Sequence, residues 1–319
     1  MDSQIENSFR KIKAIENRYG KVEFPDQAPW NEAINLLLSH KSVRSYKADP
    51  LPEGTLETLL AAAQSAATSS NLQLWSLVAI TDPIKKTELA KIAGNQKHIE
   101  QCPLFLVWLA DLSRNQRMGA EEGVEMEVMP FVETFLVAAI DAALAAQNAV
   151  IAAESLQLST VYIGAMRNNP EKVAELLQLP PEVFGVFGLC IGYASPDIKA
   201  EVKPRLPQAA IAFHEVYGNP DENRLRMNYD QEMAKFSERN EMVADTWTNR
   251  VLGRMGKLSA MNGREKLMGI LNSMGFPIRY QSEYLIKQPR LIGTYDCCDR
   301  RSIAPGGRQK VFDGSWKIP

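Results

Sequence analysis

Apolar residues recur at helical spacing in some stretches of the chain and crowd into short unbroken runs in others. Residues 31–38 and 55–66 carry the helical period. The run 74–80 reads as a strand that stops at Thr81-Asp82-Pro83, where Asp82 can cap a helix starting at Pro83 and Gly94 can end it. Residues 104–109 are bulky and apolar throughout, as a buried strand would be, and a long helix is expected over about 129–156. Residues 159–163 predict another strand, and Asn169-Pro170 opens a capped helix that runs through Leu177. The run VFGVFGLCIGY (183–193) predicts a buried strand whose glycines permit close backbone approach. Further helices are expected near 228–255 and 264–274, and Ile5, Phe9, Ile12 and Tyr19 have the spacing of an amphipathic N-terminal helix. Helices outnumber the strands they alternate with, which predicts an α+β fold with a mixed β-sheet flanked by helices.

The ends of the chain read differently from its middle. Residues 1–30 form an N-terminal helical extension. Residues 280–319 have scattered prolines and glycines, seven Lys/Arg against four Asp/Glu and no sustained period, and read as a C-terminal tail. The net charge of −2 supplies no summed positive field, which argues against nucleic acid or an anionic membrane surface as a partner. The apolar stretch 135–153 is broken by Asp141, Gln147 and Asn148, so a helix buried in protein fits better than a membrane span. No secretory leader pattern is present, and Cys102, Cys190, Cys297 and Cys298 have no metal-ligand or disulfide-framework spacing. Reduced thiols in the cytoplasm are the expectation.

Phosphate-loop, dinucleotide-fold, nucleophile-elbow and zinc-protease motifs are missing, and His40, His98 and His214 are too dispersed to suggest a metal site. Five short polar clusters remain at predicted element ends. The first, His40, Lys41, Ser42 and Arg44, can grip a phosphate and polyol oxygens, or can be a solvated helix terminus. The second, Thr68, Ser69 and Ser70, can hydrogen-bond a heteroaromatic ring or a sugar chain, or can satisfy its own loop. The third contains Gln96, after the Gly94 cap. In the fourth, Tyr162, Ile163, Gly164 and Ala165, a strand ends in a glycine that leaves a backbone N–H unobstructed. The fifth, Lys203 and Arg205 around Pro204, holds two cations at fixed spacing, suited to a phosphate or to an exposed basic turn.

Taken in order along the chain, the segments SHKSVRSY, AATSSNLQ, GNQKH, AQNAVIAAESLQLSTVYIGAMRNN, FGLCIGY and KPRLP resemble the flavin-dependent nitroreductase superfamily, specifically its oxygen-insensitive nitroreductase A/flavin reductase P group. The resemblance covers about residues 31–279. It implies an intertwined homodimer with FMN at the interface. His40, Lys41, Ser42, Arg44, Lys203 and Arg205 would hold the phosphate and ribityl side. Thr68, Ser69, Ser70 and Gln96 would contact the ribityl chain or ring edge, and Tyr162, Ile163, Gly164 and Ala165 would line the isoalloxazine. The resemblance further implies hydride transfer from NADPH or NADH through flavin N5 to nitroaromatics, quinones or flavins, with no catalytic side chain and with ping-pong order. It places the arginines that read the NADPH phosphate just before Asp245, where this chain offers Arg239 alone. A flavin reductase that supplies reduced FMN to a partner shares every one of these residues. A flavin-binding interaction protein without activity is the non-enzymatic alternative.

Overall fold

Side-chain caps set several of the element boundaries. The computed structural model describes residues 2–218, 220–242, 245–276 and 278. The tail expected at 280–319, with Cys297 and Cys298, lies outside the described residues. The helices begin with α1 (Asp2–Tyr19), α2 (Glu32–Ser39), α3 (Thr55–Gln64), α4 (Pro83–Ile92), α5 (Lys97–Gln101) and α6 (Ser113–Glu121). They continue with α7 (Val132–Ser155), α8 (Pro170–Leu177), α9 (Glu222–Arg239), α10 (Trp247–Met255) and α11 (Leu267–Ser273). The strands are β1 (Trp75–Ile80), β2 (Leu104–Asp111), β3 (Ser159–Ile163) and β4 (Val183–Gly192). The side chains of Asn31, Asp82 and Asn169 accept from the backbone N–H three residues on, at 2.8–3.0 Å. Pro83 and Pro170, in the first turns of α4 and α8, have no N–H that needs a partner there.

The four strands lie in the order β1-β2-β4-β3, and each neighbouring pair is antiparallel. The α+β class is as expected. Parallel pairing in the expected mixed sheet is confined, among the described residues, to one isolated bridge between Ser42 and Thr160. Both faces of the sheet are covered. On one side Phe105, Val107, Leu109 and Cys190 pack with Leu89 and Ala90 of α4 and Val173 of α8. On the other, Leu104, Leu106, Trp108, Leu189 and Ile191 pack on Leu59 and Ala63 of α3 and on the alanines of α7. Alternate residues of β2 thus enter opposite cores, which is why the strand is an unbroken apolar run rather than an alternating one.

The glycines of β4 make room for neighbours. A Cβ at Gly188 would stand 2.3 Å from the Phe105 ring, and one at Gly192 would stand 2.5 Å from Pro103. Gly188→Ala is expected to destabilise the fold by about 1–3 kcal/mol, the usual cost of overpacking a filled core. Urea denaturation reads it, and an unchanged midpoint would mean that the Phe105 ring can move aside.

Four elements differ from the sequence reading. In α1, Phe9 and Ile12 are 66% and 53% exposed, whereas Lys11, Ile15 and Arg18 are buried. Long cationic side chains take the inner face because their donors reach backbone carbonyls: Lys11 Nζ donates to Pro25, Asp26 and Ala28. The helix expected over 228–255 breaks between α9 and α10, where Asn240 donates back to Phe236 O and Thr246 caps Asn249 N. The short α5 and the polar α6 lack the apolar period that would announce them; Asp111 Oδ1 accepts from Ser113 N at the start of α6.

Candidate functional site

Beyond the C-terminus of α2, the backbone runs along the edge of β3, with Val43 N donating to Thr160 O at 3.0 Å. Val43 and Tyr46 turn inward and are buried, and the Tyr46 hydroxyl donates to Val43 O at 2.9 Å. Lys41, Ser42 and Arg44 are left on the outer side. Opposite them comes the turn carrying Lys203 and Arg205. Together with His40 and the end of α9 (Phe236, Asn240), these residues line a pocket of about 180 Å³.

The pocket is strongly cationic. Burial, and then the charges of Arg44, Arg250 and Arg205, push the Lys203 ammonium below the usual lysine range. Its Nζ sits over the Phe236 ring, 5.7 Å from the centroid. Glu201 is the one carboxylate among the lining residues, and it accepts from Arg239 Nε and Asn240 Nδ2, each at 3.2 Å. Like charges held together with so little compensation make a receptor for an anion. His40 is tethered separately, its Nδ1 lying 2.6 Å from Glu154 Oε1 at the end of α7. Glu154 also accepts from the Thr160 hydroxyl at 3.2 Å.

The Nitroreductase family model matches residues 37–193, and the model of the Nitroreductase family C-terminal domain matches residues 203–279. The chain belongs to the nitroreductase family. It is 40% identical over 230 residues to an FMN reductase (NADPH) of Bacillus subtilis, covering 70% of this chain and 92% of the relative. It is 37% identical over 220 residues to an oxygen-insensitive NADPH nitroreductase of Salmonella typhimurium, covering 68% of this chain and 88% of that one. Among solved structures, NfrA2 of B. megaterium superposes with a TM-score of 0.73 at 37% identity, covering 79% of this chain and all of that one.

On this nitroreductase fold, the first and fifth sequence clusters come together in one pocket, and the others stand apart from its lining. Thr68 and Ser69 are fastened to α7, where the Asp141 carboxyl accepts from the Thr68 hydroxyl at 2.5 Å and from Ser69 N at 3.2 Å. Ser70, Asn71 and Gln73 all adopt left-handed backbone angles (φ 49°, 54° and 51°), a strained loop. Arg114 helps to hold it by donating to Gln73 O at 3.1 Å, and Asn71, Gln73 and Arg114 border a second cavity of about 710 Å³. Gln96 donates to Ala93 O at 2.8 Å. Tyr162 lies partly exposed against Phe187, with ring centroids 5.2 Å apart, and burial pushes its phenol well above the usual range. The Ile163 side chain packs into the core, because strand alternation turns it inward, and its backbone is left for a ligand. Next to it, Gly164 lies over Arg167, whose guanidinium would be 3.3 Å from an added Cβ and which also donates to Val186 O.

Arg239 borders a neighbouring cavity with Lys41 and Glu201, and its Nε is engaged with Glu201. The sequence pattern assigns no site role to Arg18, Asp141, Glu154 or Arg114. The one charge within the apolar stretch 135–153, at Asp141, is a readable signal of a buried partner; the others are ordinary charges until the fold places them.

Proposed function

We propose that this chain is an FMN-dependent oxidoreductase that takes hydride from NADPH or NADH and passes it to small acceptors such as nitroaromatics, quinones or flavins. The observation that carries this reading is the meeting of Lys41, Ser42, Arg44, Lys203 and Arg205 in one pocket whose positive field Glu201 offsets only in part. The FMN phosphate is the dianion that such a donor set suits, since each cation donates to it and the mutual repulsion falls. FMN, when bound, supplies N5 as the centre that accepts and returns hydride. The protein's part is to anchor the phosphate, to present the backbone at Gly164 and Ala165 to the ring edge, and to keep Thr68, Ser69, Ser70 and Gln96 within reach of the ribityl chain.

A homodimer belongs to the proposal. Helix α7 turns its alanines to the sheet and exposes Val132, Leu136, Ile140 and Leu144 at four-residue spacing, an apolar stripe that a second copy would cover. The proposed location is the cytoplasm. The remaining Arg239 donors would meet the NADPH phosphate at the pocket rim, with Nε held by Glu201. Free FMN as an acceptor, the flavin-reductase variant of this reading, is favoured by the activity named for the B. subtilis relative.

Denatured protein is expected to release a yellow flavin that chromatographs as FMN. Anaerobic NADPH should bleach the bound flavin, and rates at several acceptor concentrations should give parallel double-reciprocal lines, because one site serves donor and acceptor in turn. Recovery of FAD, or a protein that stays colourless after reconstitution, would overturn the proposal; intersecting lines would overturn its shared site.

A further inference from the structure

Helix α1 precedes the first residue that the family models match, yet its last turn reaches both walls of the phosphate pocket. Arg18 is 6% exposed. Its Nη1 donates to Lys203 O at 2.8 Å, and its Nη2 donates to Leu38 O at 2.7 Å and His40 O at 3.1 Å. The Arg18 carbonyl in turn accepts from Arg205 N at 2.8 Å. One residue therefore makes four backbone hydrogen bonds, two to the 203–205 turn and two to the segment that ends α2 and begins the 40–44 cluster. These two segments are more than 150 residues apart in the chain, and their side chains are the cations of the pocket.

From this juxtaposition we infer that Arg18 is a positioning residue for the FMN phosphate site, a clamp that fixes the 203–205 turn against residues 38–40. The inference rests on the proposed FMN reading. A planar guanidinium suits the task because its rigid fork can address several carbonyls at once, which a single ammonium on a flexible stem does less well. Among the described residues no carboxylate hydrogen-bonds to Arg18; burial, and then the Arg205 charge, hold its guanidinium below the usual arginine range, and the Glu154 charge offsets this only in part. Its positive charge thus adds to the field in the pocket without Arg18 lining it. The rest of α1 keeps this turn in place: Lys11 ties the helix to the carbonyls of Pro25, Asp26 and Ala28.

The test is an FMN titration of the full-length apoprotein, followed by flavin fluorescence, with kcat measured at saturating FMN. Arg18→Met is expected to raise the FMN dissociation constant about tenfold, the scale of one misplaced charge-assisted contact, while kcat of the loaded protein stays within about twofold. Arg18→Lys keeps the charge and loses the fork, so it should recover part of the affinity. Arg10→Ala, which breaks only the surface pair with Glu32 of α2, should bind FMN as the native protein does. Native affinity in Arg18→Met beside weakened affinity in Lys203→Ala would overturn the clamp and leave the phosphate site standing. Native affinity in Lys203→Ala as well would overturn the site reading itself. If Arg18→Met does not fold, Arg18→Lys decides: a dissociation constant several-fold above native supports the clamp, and a native one rejects it.

Discussion

Removing both cations of the 203–205 turn, as Lys203→Ala with Arg205→Ala, is expected to weaken FMN binding by more than about a hundredfold, since each charge-assisted hydrogen bond contributes about 1.5–3 kcal/mol. The two effects need not add, because the cations share one ligand and repel one another without it. Equilibrium titration of the apoprotein with FMN measures the loss, and an affinity within tenfold of native would show that the turn does not hold the phosphate. The apoprotein should respond in the opposite sense. Burial and neighbouring cations lower the folded-state pKa of Lys203, so the folded protein binds this proton less readily than the unfolded chain does. The resulting penalty is fully present below the folded pKa and fades as pH rises towards the ordinary lysine value of about 10.4. Apoprotein carrying Lys203→Ala should therefore be at least as stable as native near neutral pH, with the advantage shrinking as the medium becomes alkaline. Thermal melts of both apoproteins across that range would show it, and a variant clearly less stable than native at neutral pH would contradict the electrostatic account.

Asp141→Ala is expected to cost about 2–3 kcal/mol of stability, because it removes the acceptor of the Thr68 hydroxyl and Ser69 N–H and leaves a void beside α7. That is a substantial part of the roughly 5–15 kcal/mol that holds a typical domain together. Asp141→Asn keeps one carbonyl acceptor and should recover about half. The damage should be local before it is global: amide exchange in 68–73 should quicken more than in β2, since the loop has Asp141 and Arg114 as its anchors and carries three left-handed residues. Urea denaturation checks the first claim and exchange mass spectrometry the second. A loss below about 1 kcal/mol would mean that water replaces the carboxyl without cost.

Element type and many element ends were legible in the sequence, since caps and periodicities are properties of contiguous residues. Asp82-Pro83 and Asn169-Pro170 start helices where their side chains and missing N–H groups require, and the apolar runs at 104–109 and 159–163 are strands. The break after Asn240 has local signals, the Asn240 amide folding back to Phe236 O and Thr246 capping α10, but a helical period runs across them. The ordered motifs carried the family, and with it the expectation that 40–44 and 203–205 serve one phosphate. Tertiary structure shows how these clusters are held. It joined these two segments through Arg18, fastened Thr68 to Asp141 rather than to the pocket, and turned Ile163 into the core. It also reversed the face of α1, because a buried Lys11 and Arg18 are tolerable only where carbonyls from distant segments arrive to accept from them. The Arg18 contact with Lys203 depends on how the chain closes over 185 residues, and no local pattern of apolar and polar positions encodes that closure.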